Sequence, residues 1–156
     1  MLAALLATNL NLASSLIASG GGPGSYSTVR AFNGMVGQDA VLADQRQLAA
    51  ENGKDDANRF VSMFDYAIAD AWQLAGKYNV SIPQTPVGPA TPALAAQLLQ
   101  AGERPGGTFD TGTFFAQLFG DKIAEQIFQD IDAKFGPGSS MTFGRMTAEF
   151  FTNLHA

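Results

Sequence analysis

The sequence has no cysteine and a single histidine, His155, the penultimate of its 156 residues. The first absence removes disulfides and thiolate chemistry. The second leaves no imidazole pair for a metal and no base held between two elements for nucleophilic catalysis. Charge is also scarce: Asp, Glu, Lys and Arg make up 15% of the chain, where about 25% is usual, which excludes a solvating acidic tail or a charge-rich disordered chain. The nine basic residues stand singly between Arg30 and Arg145 and the net charge is −5, so nucleic acid is not an expected partner. Long apolar runs are missing as well. The most apolar stretch, Met1 to Ser19, is interrupted by Asn9, Asn11, Thr8 and three serines, too polar for a membrane span of about 20 residues. No Lys or Arg precedes Arg30, which is unlike the basic leader of a secretory signal.

What is present is a core-forming supply: 46% apolar residues with twelve Phe and five Met. A chain this long typically buries roughly 68 to 70% of its unfolded surface, so it needs no covalent staple. Apolar residues recur at three- and four-residue steps, the helical spacing, and no stretch keeps a period of two. Residues 1–19 read as an amphipathic helix, packed on the domain or on a partner, with a retained export segment as the rival reading. Residues 20–26, rich in Gly and containing Pro23, read as a linker, and 27–156 as the bundle domain. In that domain the spacing predicts a helix from Ser27 or Thr28 to Asn52, stopped by Gly53. A second, from Asp55 to about Tyr78, carries the stripe Phe60, Met63, Phe64, Ala67, Ala71, Leu74, Ala75. Residues 79–92, with four prolines, predict an extended crossover. Thr91 then caps a short helix with Pro92 at its first position, ending at Gly102. Asp110 or Thr111 opens a helix to Phe135, with Phe115, Phe119, Ile123, Ile127 and Ile131 at four-residue steps. Ser139 or Ser140 opens the last, through Phe143, Met146, Phe150 and Leu154. Phe60, Phe64, Leu74, Phe119, Ile127 and Phe150 are expected in one core.

The helix containing Phe32, Met35 and Asp44 resembles that containing Phe60, Met63 and Asp70. Because Phe-x-x-Met recurs at Phe143 and Met146, shared packing chemistry is the preferred explanation over duplication. A di-metal carboxylate site in a bundle uses about four carboxylates and two His, commonly as Glu-x-x-His. The chain has only Glu51, Glu103, Glu125 and Glu149, with no such motif, so no metal site, cofactor or catalytic residue is assigned. Gly20 to Gly24 lacks the lysine and preceding strand of a phosphate loop. Asp39, Asp44, Asp65 and Asp70 are the remaining helix carboxylates of interest, expected at a solvated surface. The Phe and Met stripes read first as core and second as a hydrophobic ligand groove or assembly surface.

From Phe60 onward, Phe60, Met63, Asp65-Tyr66, Leu74-Ala75, Ile82-Pro83, Phe109-Asp110, Asp121 and Asn153-Leu154-His155 follow in an order that resembles the exported bacterial ferritin-like family catalogued as a domain of unknown function. Tyr66 and Asp121 stand where that family carries histidines, so a histidine-dependent role does not transfer. The resemblance implies an all-α fold, a ferritin-like four-helix bundle with an additional N-terminal helix, and a periplasmic or extracellular location. The expected function is that of a non-enzymatic structural or interaction module with a protein partner, or self-association through the N-terminal helix. The alternative is a bundle that holds a hydrophobic small molecule between its helices.

Overall fold

The computed structural model describes residues 9–83 and 90–154. Its elements are helical, apart from one isolated antiparallel bridge between Glu103 and Phe109. In chain order the helices are α1 (Leu10–Ser19), α2 (Thr28–Val36), α3 (Gln38–Asn52), α4 (Lys54–Lys77), α5 (Pro92–Gly102), α6 (Thr111–Phe119), α7 (Asp121–Phe135) and α8 (Ser139–Leu154). The start signals act as local chemistry dictates. The side chains of Asn9, Ser27, Thr91 and Asp110 accept hydrogen bonds from the backbone N–H three residues on, which would otherwise be left without a partner. Part of the crossover, residues 84–89, and His155 lie outside the described residues.

Two expected helices are each broken in two. The helix expected to run unbroken to Asn52 turns at Gly37, and the one expected to reach Phe135 turns at Gly120. Gly37 has φ 94°, ψ 152° and Gly120 φ 96°, ψ 157°, a region open essentially to glycine alone. The corners keep their hydrogen bonds. Gly37 N–H donates to Asn33 C=O at 3.0 Å and Gly37 C=O accepts from Val41 N–H at 3.3 Å, with the same pattern from Ala116 through Gly120 to Ala124.

The N-terminal helix packs on its own domain, one of the two expected placements, but its burial is not confined to one stripe. Six consecutive residues of α1, Leu12 to Ile17, are buried, including Ser14 and Ser15. The helix is enclosed by α2, α5 and α6 of its own chain. Ser15 Oγ donates back to Asn11 C=O at 3.0 Å, and Ser14 Oγ donates to Pro83 C=O, so neither hydroxyl is buried without a partner. Residues 1–8 of the expected helix lie outside the described residues.

All six expected core residues are buried in one contiguous cluster. Phe32, Phe60, Phe64, Phe114, Phe115, Phe143, Phe150 and Phe151 form a continuous network of ring contacts within it. Helices α3, α4, α7 and α8 touch in a closed ring, and α1, α2, α5 and α6 pack as a second group.

The chain is an internal duplication, though not at the spacing considered above. Helices α2 and α6 are both nine residues long and α3 and α7 both fifteen. Thr28 corresponds to Thr111, Phe32 to Phe115, Gly37 to Gly120, Gly53 to Gly136, Phe60 to Phe143 and Met63 to Met146, each pair 83 residues apart. The same relation reaches back, one residue shorter, to α1 and α5. Gly20 and Gly102 are both pressed against a ring, Tyr26 and Phe109 respectively, and a methyl group at either glycine would collide with it. Contacts between the halves come in exchanged pairs: α3 with α8 and α4 with α7, α1 with α6 and α2 with α5. An internal twofold produces that pattern. The Phe-x-x-Met at Phe143 is therefore the duplicate of that at Phe60, and a shared packing chemistry is not a sufficient account of it.

Candidate functional site

Of the four helix carboxylates expected at a solvated surface, only Asp39 is exposed without a described side-chain partner. Asp44 is 3% exposed in the seam between α3 and α8. Its Oδ1 accepts from Asn153 Nδ2 at 3.1 Å, while Oδ2 is buried with no partner. Burial, with the Glu149 carboxylate nearby, pushes its titration up to about 7 against the opposing hydrogen bond from Asn153. Asp70 lies in the seam between α4 and α7, its Oδ2 likewise buried without a partner. Burial and then the hydrogen bond and charge of Asp130 raise it to about 7. In both cases a proton would turn the orphaned oxygen into a donor. Asp65 accepts both N–H and Oγ–H of Thr28, at 2.7 and 2.5 Å, and so ties α2 to α4.

The two seams are duplicates of one place. Under the 83-residue relation Asn153 corresponds to Asp70, Glu149 to Tyr66, Gln47 to Asp130, and Asp44 to the buried Ile127. One half thus carries a carboxyl where the other carries an aliphatic side chain. Around Asp70, Tyr66 packs edge-on against Phe135 with centroids 5.6 Å apart, Lys134 Nζ lies 5.9 Å from its ring centre, and Gln126 donates to Asp130 at 2.8 Å. Around Asp44, Asn52 donates to Glu149 at 2.9 Å and accepts from Arg145 at 3.1 Å. Among the described residues no three His, Asp or Glu side chains gather closely enough to hold a metal ion.

Two clefts of about 580 Å³ open at the surface, neither at the carboxyl seams. One is lined by amides, Asn9, Asn11, Gln97, Gln100 and Gln117, between α1, α5 and α6. The other lies between α1, α2 and α4 and is walled by Ile17, Pro23, Trp72 and Pro83, with Ser14 and Arg30 as its polar side chains. Trp72, the sole tryptophan, also walls a smaller hollow of about 320 Å³ with Val80 and Ile82. Neither Trp72 nor Arg30 was singled out from the sequence. They stand 42 positions apart, and only the packing of α2 on α4 brings them together.

The residues that carry the family resemblance sit at structural positions. Asp110 caps α6 through Thr113 N–H at 2.8 Å, Phe109 stacks on Phe151 with centroids 4.9 Å apart, and Asp121 opens α7. No family model, curated protein or solved structure matches the chain. No helix among the described residues is long and apolar enough to cross a membrane.

Proposed function

We propose that this chain is a non-enzymatic helical-bundle module that acts by binding at its surface, exported to the cell envelope or the extracellular space. One observation carries the binding part of this reading. The carboxyls with displaced titration, Asp44 and Asp70, lie in packed helix seams, whereas the clefts that can admit another molecule are lined by amides or by Trp72 and Arg30. Acid–base catalysis needs a titrating group and a substrate cavity in the same place. The exported setting rests on the family resemblance. The ferritin-like relation has the further support of the closed ring of α3, α4, α7 and α8, built from two helix pairs joined by one long connection.

The alternative, a hydrophobic molecule held between the helices, has less support, because the buried Phe and Met side chains pack on one another and line none of the three clefts. Leu42 and Met141 are the large apolar side chains exposed among the described residues. A broad sticky face is therefore not the basis of partner binding. Self-association through α1 would have to use surface other than its buried side. Native mass together with elemental analysis of the purified protein tests the reading. The expected result is the mass of the polypeptide or a whole multiple of it, with no stoichiometric iron, manganese or zinc. A metal retained in fixed ratio and lost on unfolding would overturn the non-enzymatic assignment.

A further inference from the structure

Arg30 is the basic residue of the Trp72 cleft, and its guanidinium has no ion-pair partner among the described residues. It lies over Gly21, where a methyl group would come within 2.9 Å of Nη1. No Asp or Glu is among the described residues that line this cleft, although acidic residues outnumber basic ones fourteen to nine in the chain. The corresponding turn in the second half is closed differently. There Arg104 pairs with Asp110 at 3.9 Å and its N–H donates to Thr108 C=O at 2.9 Å. Arg30 itself corresponds to Thr113. The second half therefore carries no cation at the position of Arg30, and a duplicated fold has room there to add a site that its symmetry does not require.

We propose that the cleft between α1, α2 and α4 binds a small aromatic carboxylate, with the carboxylate on Arg30 and the ring against Trp72; this rests on reading the chain as a binding module. A cavity of about 580 Å³ falls in the size range of small-molecule sites. Its apolar walls include the flat face of the Trp72 indole, on which a planar aromatic ring can stack. The guanidinium fork matches a carboxylate bidentately. A phosphate would need more donors than the cleft offers, because the N–H groups of Gly21 and Gly22 already donate to Ala18 and Ile17 at 3.2 and 3.0 Å.

Trp72 fluorescence reports directly, as it is the sole indole. The full chain is titrated with 3-phenylpropionate, with the alcohol of the same skeleton and with inorganic phosphate, and calorimetry on the same samples gives the affinities. The proposal expects saturable binding of 3-phenylpropionate, at least about 10-fold weaker binding of the alcohol, and a similar loss in Arg30→Gln. Arg30 is exposed, so a melting temperature unchanged by that substitution confirms an intact fold. Equal affinity for acid and alcohol, tighter binding of phosphate, full affinity in Arg30→Gln, or no saturation with the carboxylate would each overturn the ligand class. The binding-module reading stands or falls separately, on native mass and metal content.

Discussion

Phe60 and Phe143 stack on one another in the core, ring centroids 6.2 Å apart and planes 28° from parallel. They are equivalent residues of the two halves, so the internal twofold passes close to their contact. Each also touches Phe64, at 6.0 Å in both cases. Phe60→Ala and Phe143→Ala are each expected to cost about 3 to 5 kcal/mol. The double variant should cost less than the sum, because the two rings share a cavity. Urea midpoints with unchanged m-values check this, and strict additivity would show that the rings act independently.

One corner glycine and one helical glycine make an opposite-signed pair of predictions. A side chain at Gly37 meets no neighbour, yet its φ of 94° strains any L residue, so Gly37→Ala should destabilise by about 1 to 3 kcal/mol. Gly76 lies inside α4, exposed and with open space around it. Gly76→Ala should stabilise by about 0.5 to 1 kcal/mol. Thermal melts of the two variants decide, and equal signs would show that conformation is not what selects glycine at position 37.

At Gly102 the constraint is space. A methyl group there collides with the Phe109 ring, and overpacking of this kind typically costs about 1 to 3 kcal/mol. Because the obstacle is one ring, Phe109→Ala should make the Gly102→Ala change nearly neutral. A double-mutant cycle measures the coupling, and its absence would place the cost elsewhere.

The seams predict an unusual pH profile. Asp44 and Asp70 titrate near 7 in the folded protein, against 3.8 ordinarily. Their folded-state values are raised, so the stability they contribute is fully present below about pH 4 and is lost as pH rises through 7. The urea midpoint should therefore be higher at pH 5 than at pH 8. Asp44→Asn removes one titration and should flatten the profile. The groups facing Asp44 are Asn153 and Glu149, and those facing Asp70 are Asp130 and Tyr66. A midpoint that climbs from pH 5 to pH 8 would mean that both carboxyls are charged and paired in the folded state.

Much of the fold was legible because helix faces and stops are local. The stripe from Phe60 to Ala75, the Thr91-Pro92 start and the Gly53 and Gly136 stops need only a few neighbouring residues to be read. The corners at Gly37 and Gly120 escaped because the apolar four-residue step runs on through Phe115, Phe119, Ile123 and Ile127, and a lone glycine is tolerated within a helix. Burial of Asp44 was signalled only by Val41 and Leu48, which share its face three and four residues away, and a carboxylate on such a short apolar stripe reads by default as solvated. The duplication was hidden for a different reason. Core positions accept Phe32 opposite Phe115 but also Leu48 opposite Ile131 and Ala31 opposite Phe114, so few identities survive, while the lengths of α2 and α3 recur in α6 and α7. The cleft was invisible because Arg30 and Trp72 meet only through tertiary packing.

Because the exchanged contacts pair α3 with α8 and α4 with α7, neither half can finish its own core. A ribosome adds about 5 to 20 residues per second, so the equivalent of Phe60 emerges roughly 4 to 17 s after Phe60 itself. Throughout that interval the first half carries Phe32, Phe60 and Phe64 without the rings that cover them in the finished fold. For as long as synthesis lasts, the nascent chain is a sticky half-molecule, and its fate depends on what shields it until the second copy arrives.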